Sequence, residues 1–291
     1  MPPPSGIEPV GGLAPAKVNL TLRVTGRRAD GYHLLDSLVV FAAVGDRLEV
    51  RPADSLSLTV AGPFADGVPE GDGNLVLRAA RLLANLRGVQ RGAAIALEKH
   101  LPHGGGIGGG SSDAACAVRL LARLWAVAPL TAEEALPLGA DVPVCLHAPA
   151  PARMTGIGEG VVPLPPLPDA ALVLVSPGVH VPTPRVFASF AASGIPFSPP
   201  MAAPPERMTV ADLAAHVRRG GNDLAAPAVG VAPGIAEVLG ALADAPGLLG
   251  AGMSGSGSVC WGLAPDLAAA SRAAAALERP GWWVRAARIL S

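Results

Sequence analysis

The chain has 291 residues, half of them apolar, with a mean hydropathy of +0.42, so it can bury a sizeable core and divides most naturally into two domains. Its 22 basic and 23 acidic residues leave a formal charge of −1, which excludes a global basic footprint for nucleic acid or anionic membrane and leaves small phosphorylated ligands open. One tyrosine and five phenylalanines make the core aliphatic, so an aromatic near a site carries more weight than usual.

Met1–Val10 has neither the basic start nor the apolar run of a secretory signal and reads as a short disordered leader. From Ala14 to Thr25 the residues alternate and predict one strand, with Val18, Leu20, Leu22 and Val24 on one face and Lys17, Asn19, Thr21 and Arg23 on the other. Lys17 and Asn19 are thereby side by side, although a solvated strand-face lysine explains the same pattern. Asp30-Gly31 predicts a turn, with Tyr32 and His33 just beyond it and an apolar segment running to Phe41. Leu75–Leu86 carries leucines at helical spacing and is expected to cover a sheet, and Gly92–His100 reads as a short strand.

Leu101–Ala115 then packs six glycines, two hydroxyls and an acid into the entrance of a helix whose apolar positions are Ala117, Leu120, Leu121 and Leu124. Glycines tolerate φ > 0 and let an anion approach the bare backbone, where the first N–H groups and the positive end of the helix face it. A phosphate cradle follows, with a flexible turn as the plainer alternative. Ser111, Ser112 and Asp113 can each cap the helix, and either serine can instead donate to a phosphate or reach Mg²⁺. No lysine occurs after Lys99, which excludes a Walker-type loop. Gly104, Gly106 and Gly109 fit the dinucleotide spacing, but Pro102 and His103 intervene after the strand and no clean second strand ending in an acid follows.

Gly139-Ala-Asp-Val-Pro143 supplies Asp141, which either caps a turn or accepts a proton from an attacking hydroxyl, a role that Lys17 would support by favouring the ionised carboxylate. Gly194–Glu206 is proline-rich and reads as an irregular surface connection. The uncharged stretch Ala245–Pro265 is too rich in Gly, Ser and Pro for a membrane span, and within it Gly252–Ser258 reads as a tight loop or a close approach to ligand. Cys116, Cys145 and Cys260 are scattered outside any metal-ligand spacing, which fits a reduced cytoplasm.

Pro15-Ala-Lys-Val-Asn19, Gly26-Arg-Arg-Ala-Asp-Gly-Tyr-His33, Gly104–Ala115, Gly139–Pro143 and Met253-Ser-Gly-Ser-Gly257 together resemble the GHMP kinase superfamily, in the family's order and over both halves of the chain. The resemblance implies an α+β, two-domain fold: residues 1–163 as an ATP-binding domain like the second domain of ribosomal protein S5, and residues 164–291 as a ferredoxin-like C-terminal domain. It implies ATP-dependent phosphorylation, accompanied by Mg²⁺ with unassigned protein ligands, of the 2-hydroxyl of a methylerythritol carried on cytidine diphosphate, a step of non-mevalonate isoprenoid synthesis. By motif match Asp141 is the base and Lys17 its charge partner. Pro102, His103, Gly104, Gly105, Gly106, Ile107, Gly108, Gly109, Gly110, Ser111 and Ser112 hold ATP, and Asn19, Tyr32, His33, Thr183 and Phe187 bind the acceptor, with Tyr32, His33 and Phe187 around the cytosine. No nucleic acid or membrane partner is implied; a homodimer is compatible with the family. Two departures stand out. Asn222-Asp-Leu224 is followed by Ala225 where an acid is common, so it receives no catalytic role, and the connection from Trp125 to Gly139 is short, which puts the packing before Asp141 in question.

Overall fold

The computed structural model describes residues 9–202, 204–205 and 207–291. The expected leader lies outside the described residues except for its last two, of which Val10 opens the first strand. In chain order the elements are β1 (Val10–Asn19), β2 (Arg23–Arg27), β3 (His33–Ala53), β4 (Ser57–Ala61), α1 (Leu75–Arg87), β5 (Gly92–Glu98), α2 (Gly109–Trp125), α3 (Ala132–Ala135), a 3-10 turn (Leu136–Leu138) and α4 (Val142–Leu146). There follow β6 (Ala152–Gly156), β7 (Gly160–Pro163), β8 (Ala171–Ser176), α5 (Thr183–Ala192), α6 (Val210–Gly220), α7 (Ala225–Val231), α8 (Gly234–Asp244), β9 (Gly250–Met253), β10 (Cys260–Ala264), α9 (Leu267–Leu277) and β11 (Trp283–Leu290). None of these helices is long and apolar enough to cross a membrane.

Two compact units form. The first comprises residues up to Ala16, Gly45–Leu101 and Gly108–Leu146; the second comprises Lys17–Val44, Pro102–Ile107 and His147–Ser291. In the first unit β4 runs parallel to β5, a pairing that needs a crossover, and α1 supplies it. The C-terminal half of β3 pairs antiparallel with β5 from Arg47↔Glu98 to Ala53↔Gly92. One apolar cluster fills this unit, joining Leu48, Val50, Ile95 and Leu97 of the strands to Leu83 of α1 and Leu121 of α2. Helix α1 starts on Asn74, whose side chain accepts from Val76 N, and stops at Gly88 in the left-handed region. The short connection to Gly139 is packed rather than loose. Thr131 and Glu134 form a capping box on α3, the Glu134 carboxylate pairs with both terminal nitrogens of Arg87, and Leu130, Ala135 and Leu138 are buried.

In the second unit β8, β10 and β11 form an antiparallel group with β9 on its edge, and the N-terminal half of β3 pairs with β2, β6 and, at Phe41 and Ala42, with β11. Its core joins Val173 and Val175 of β8 to Phe190, Val238 and Leu277 of α5, α8 and α9.

The single alternating strand expected over Ala14–Thr25 is two strands, and the face carrying its polar residues is not solvated. Lys17, Asn19 and Thr21 are 2%, 1% and 1% exposed, as buried as Val18 and Leu20. The break falls where Thr21 Oγ1 accepts from Leu38 N and Leu20 N donates to Leu38 O, a local pairing that interrupts the strand between Asn19 and Arg23. The proline-rich connection has no helix or strand among its described residues, but it is tied down. Ser198 N donates to Val24 O, and Met201 N to the Asp36 carboxylate that also grips Arg153.

Candidate active site

In the second unit, residues 102–107 form a turn held from one side by the loop between β9 and β10. Val259 N donates to Gly105 O (2.9 Å), Ser254 Oγ to Gly106 O (2.8 Å), and Lys17 N to Ile107 O (3.0 Å). Gly106 has φ +72°, and a Cβ there would lie 2.3 Å from Ser254 O, so only glycine fits. Pro102 is half-buried, while His103 and Gly104 are exposed. The Gly252–Ser258 cluster is thus a tight loop that braces a second glycine turn. Asn222, to which the sequence assigns no catalytic role, holds this loop: its Nδ2 donates to Met253 O (2.8 Å) and Gly255 O (2.9 Å).

Lys17 and Asn19 share this unit. Lys17 Nζ donates to Asn19 Oδ1 (2.9 Å), while Asn19 Nδ2 donates to Ser37 Oγ (2.7 Å), so the amide carries a directed chain of hydrogen bonds that aims the lysine. Asn19 is further fixed through its backbone, which accepts from Trp261 Nε1 and donates to Ser254 Oγ.

In the first unit α2 opens earlier than the capping residues predict. Gly108, at φ +64°, is the N-cap; no side chain caps the helix, and Ser111, Ser112 and Asp113 lie inside it. Gly109, Gly110 and Ser111 therefore present N–H groups that no capping side chain satisfies, which is what an anion site needs. Ser112 is 1% exposed and its Oγ donates to Pro15 O at 2.7 Å, a bond that ties the start of α2 to β1. Among the described residues no group of three or more His, Cys, Asp or Glu is placed to hold a metal. Asp141 immediately precedes α4, whose Cys145 N donates to the Asp141 carbonyl (3.2 Å), and Val142–Cys145 are buried, so the carboxylate stands on a rigid base.

The acceptor residues lie in the second unit. His33, first residue of β3, stacks on Phe187 of α5 with ring centroids 5.0 Å apart and planes 21° from parallel, and meets Phe190 edge-on at 5.8 Å. Burial, followed by the charge of Arg27, lowers the pKa of His33, which favours the neutral imidazole that can both donate and accept. Tyr32 is 62% exposed, an unusual state for the chain's one tyrosine. The turn before it forms as predicted, with Gly31 at φ +94° and Arg28 N donating to Tyr32 O. Thr183, in the first turn of α5, shares a 2.8 Å hydrogen bond with Ser256 Oγ.

Residues 74–150 match the model of the GHMP kinases N-terminal domain, and residues 210–281 that of the GHMP kinases C-terminal domain. The chain belongs to the GHMP kinase family. This GHMP kinase is 54% identical over 282 residues to the 4-diphosphocytidyl-2-C-methyl-D-erythritol kinase of Cereibacter sphaeroides, covering 96% of this chain and 98% of the relative. A crystal structure of 4-(cytidine 5'-diphospho)-2C-methyl-D-erythritol kinase superposes with a TM-score of 0.80 at 39% identity, covering 97% of this chain and all of the other. A homoserine kinase from Cytophaga hutchinsonii shares the fold at a TM-score of 0.65 and 19% identity, covering all of this chain and 98% of the other.

Proposed function

We propose that this GHMP kinase transfers the γ-phosphoryl group of ATP to the 2-hydroxyl of 4-diphosphocytidyl-2-C-methyl-D-erythritol, releasing ADP, in the non-mevalonate (MEP) route to isoprenoid precursors. The observation that carries this acceptor over the others of the family is the His33–Phe187 stack beside exposed Tyr32. Flat rings with a neutral imidazole stacked among them suit a pyrimidine, whose polar rim needs both a donor and an acceptor. In this reading Asp141 accepts the proton of the 2-hydroxyl as its oxygen attacks the γ-phosphorus. Lys17 stabilises the developing negative charge. Asn19 orients Lys17 and through it the acceptor, and Thr183 adds a hydroxyl near the aromatic pair. The glycine turn from Pro102 to Ser112 holds the phosphates through its N–H groups, and the Ser112 hydroxyl ties its end to Pro15 O. Mg²⁺ enters with ATP and offsets charge on its phosphates, with no protein ligand assigned. Residues 1–163 and 164–291 are taken as the two family domains, a division supported by the matched segments falling one on each side. The cytoplasm is the proposed place of action, consistent with three buried free thiols.

The test is ADP release by purified protein with Mg-ATP and, in parallel, the cytidine compound, mevalonate or homoserine. Release confined to the cytidine compound is expected. Release only with another acceptor would keep the kinase and remove the cytosine reading, and silence from folded protein on all three would reject the activity.

A further inference from the structure

The chain has only two lysines among its 22 basic residues, and neither is on the surface. Lys17 belongs to the site above; Lys99, 4% exposed, has no place in it. Its ammonium lies between two carboxylates, bonded to Asp46 and to Asp113 Oδ2 (2.7 Å), and both acids are nearly inaccessible as well. Asp46 is fully used: its other oxygen accepts from His100 N (2.5 Å) and Leu101 N (2.8 Å), the residues that lead from β5 into the glycine turn. Asp113 differs, because its Oδ1 is buried without a hydrogen-bond partner. The cluster lies directly under the start of α2: a Cβ on Gly109 would be 3.6 Å from Lys99 Nζ and 3.8 Å from Asp46 Oδ2.

Here two carboxylates face one ammonium, so the fully ionised cluster carries a net negative charge beneath the amides proposed to receive the phosphates of ATP. We propose that Asp46, Lys99 and Asp113 are a positioning cluster for the phosphate-holding turn, in which the charge on Asp113 sets the affinity for ATP. The proposal rests on the reading that this turn holds the phosphates. The charged groups that reach Asp113 are Lys99 from the end of β5 and Asp46 from β3; on its own helix Cys116 and Arg119 lie next along, and the buried residues of α1 are all apolar. Burial pushes the Asp113 carboxyl up to about 8 although Lys99 opposes the rise, so the acid gains its charge at higher pH than an ordinary carboxylate.

The experiment measures kcat and the KM values for ATP and for the acceptor between pH 7 and 9 in the wild type, Asp113→Asn and Gly110→Ala. In the wild type the KM for ATP is expected to rise about five- to twentyfold across that range, the size of effect one added charge has near a partly buried anion site, with the acceptor KM not following. Asp113→Asn, which keeps the size and an oxygen for Lys99 but cannot ionise, is expected to lose that dependence. A flat wild-type profile, an unchanged slope in Asp113→Asn, or an acceptor KM that moves in step would overturn the proposal. The wild-type profile needs no variant to fold. Gly110→Ala tests the underlying reading, since a Cβ there meets nothing within 4 Å and the fold has no need of glycine at that position. An unchanged KM for ATP in Gly110→Ala rejects the turn as the phosphate site and the cluster's role with it. A raised KM there, with wild type and Asp113→Asn indistinguishable, rejects the cluster alone.

Discussion

At the level of single residues the two proposed halves of the reaction separate into different kinetic constants. Asp141 stands on the packed start of α4 and would act on the hydroxyl proton only as the bond to phosphorus forms, so Asp141→Asn should lower kcat by about 10²–10⁴-fold with both KM values near normal. Phe187 stacks on His33 and is proposed to stack on the base as well, so it acts before chemistry. Base–aromatic stacking is worth about 1–3 kcal/mol, and Phe187→Ala should therefore raise the acceptor KM roughly 5- to 150-fold while the KM for ATP stays put. Steady-state kinetics on the two variants decide the matter: an Asp141→Asn enzyme with normal kcat removes the base, and a Phe187→Ala enzyme with a normal acceptor KM removes the stack.

At the level of elements, the strength of a sequence reading depended on how local the signal was. The glycine turn, the turn at Gly31, helix α1 and strand β5 each declare themselves within about a dozen residues, and each is present. The start of α2 was misplaced because three good capping residues sit just inside it, while Gly108 in the left-handed region does the work of a boundary without any side chain. The Lys99 cluster was invisible for a different reason. Asp46 and Lys99 are 53 residues apart and meet only because β3 and β5 pair in a register that sets Arg47 opposite Glu98. The segment between α2 and Asp141 is likewise held by a distant partner, Arg87. Hydrogen bonds from Arg87, reinforced by the Thr131 backbone, pull the Glu134 carboxyl down to about 2 from 4.5. A folded value below the unfolded one means that the stabilisation is complete above about pH 4.5 and disappears as pH falls through about 2. Urea midpoints of wild type and Glu134→Gln should thus differ at pH 7 and converge toward pH 2, whereas a gap that persists at low pH would show that the glutamate's charge contributes nothing.

For the molecule as a whole, the two units have separate apolar cores, yet the chain does not visit them one after the other. It passes between them at 16/17, 44/45, 101/102, 107/108 and 146/147, and strands β1 and β3 each contribute to both. Unfolding one unit therefore frees one end of a strand whose other end belongs to the second, and a single cooperative transition is expected despite two cores. The three cysteines report on this directly, with Cys116 and Cys145 in the first unit and Cys260 in the second, all buried. Burial pushes the Cys116 thiol up to about 11 and the Cys260 thiol up to about 12, so neither supplies thiolate to a reagent at pH 8 while the fold is intact. A disulfide reagent should find no reactive thiol in native protein and all three in denaturant. Single-cysteine variants labelled across a urea series should share one midpoint; a midpoint for Cys260 distinct from that of Cys116 would mean that the units unfold independently in spite of the threading.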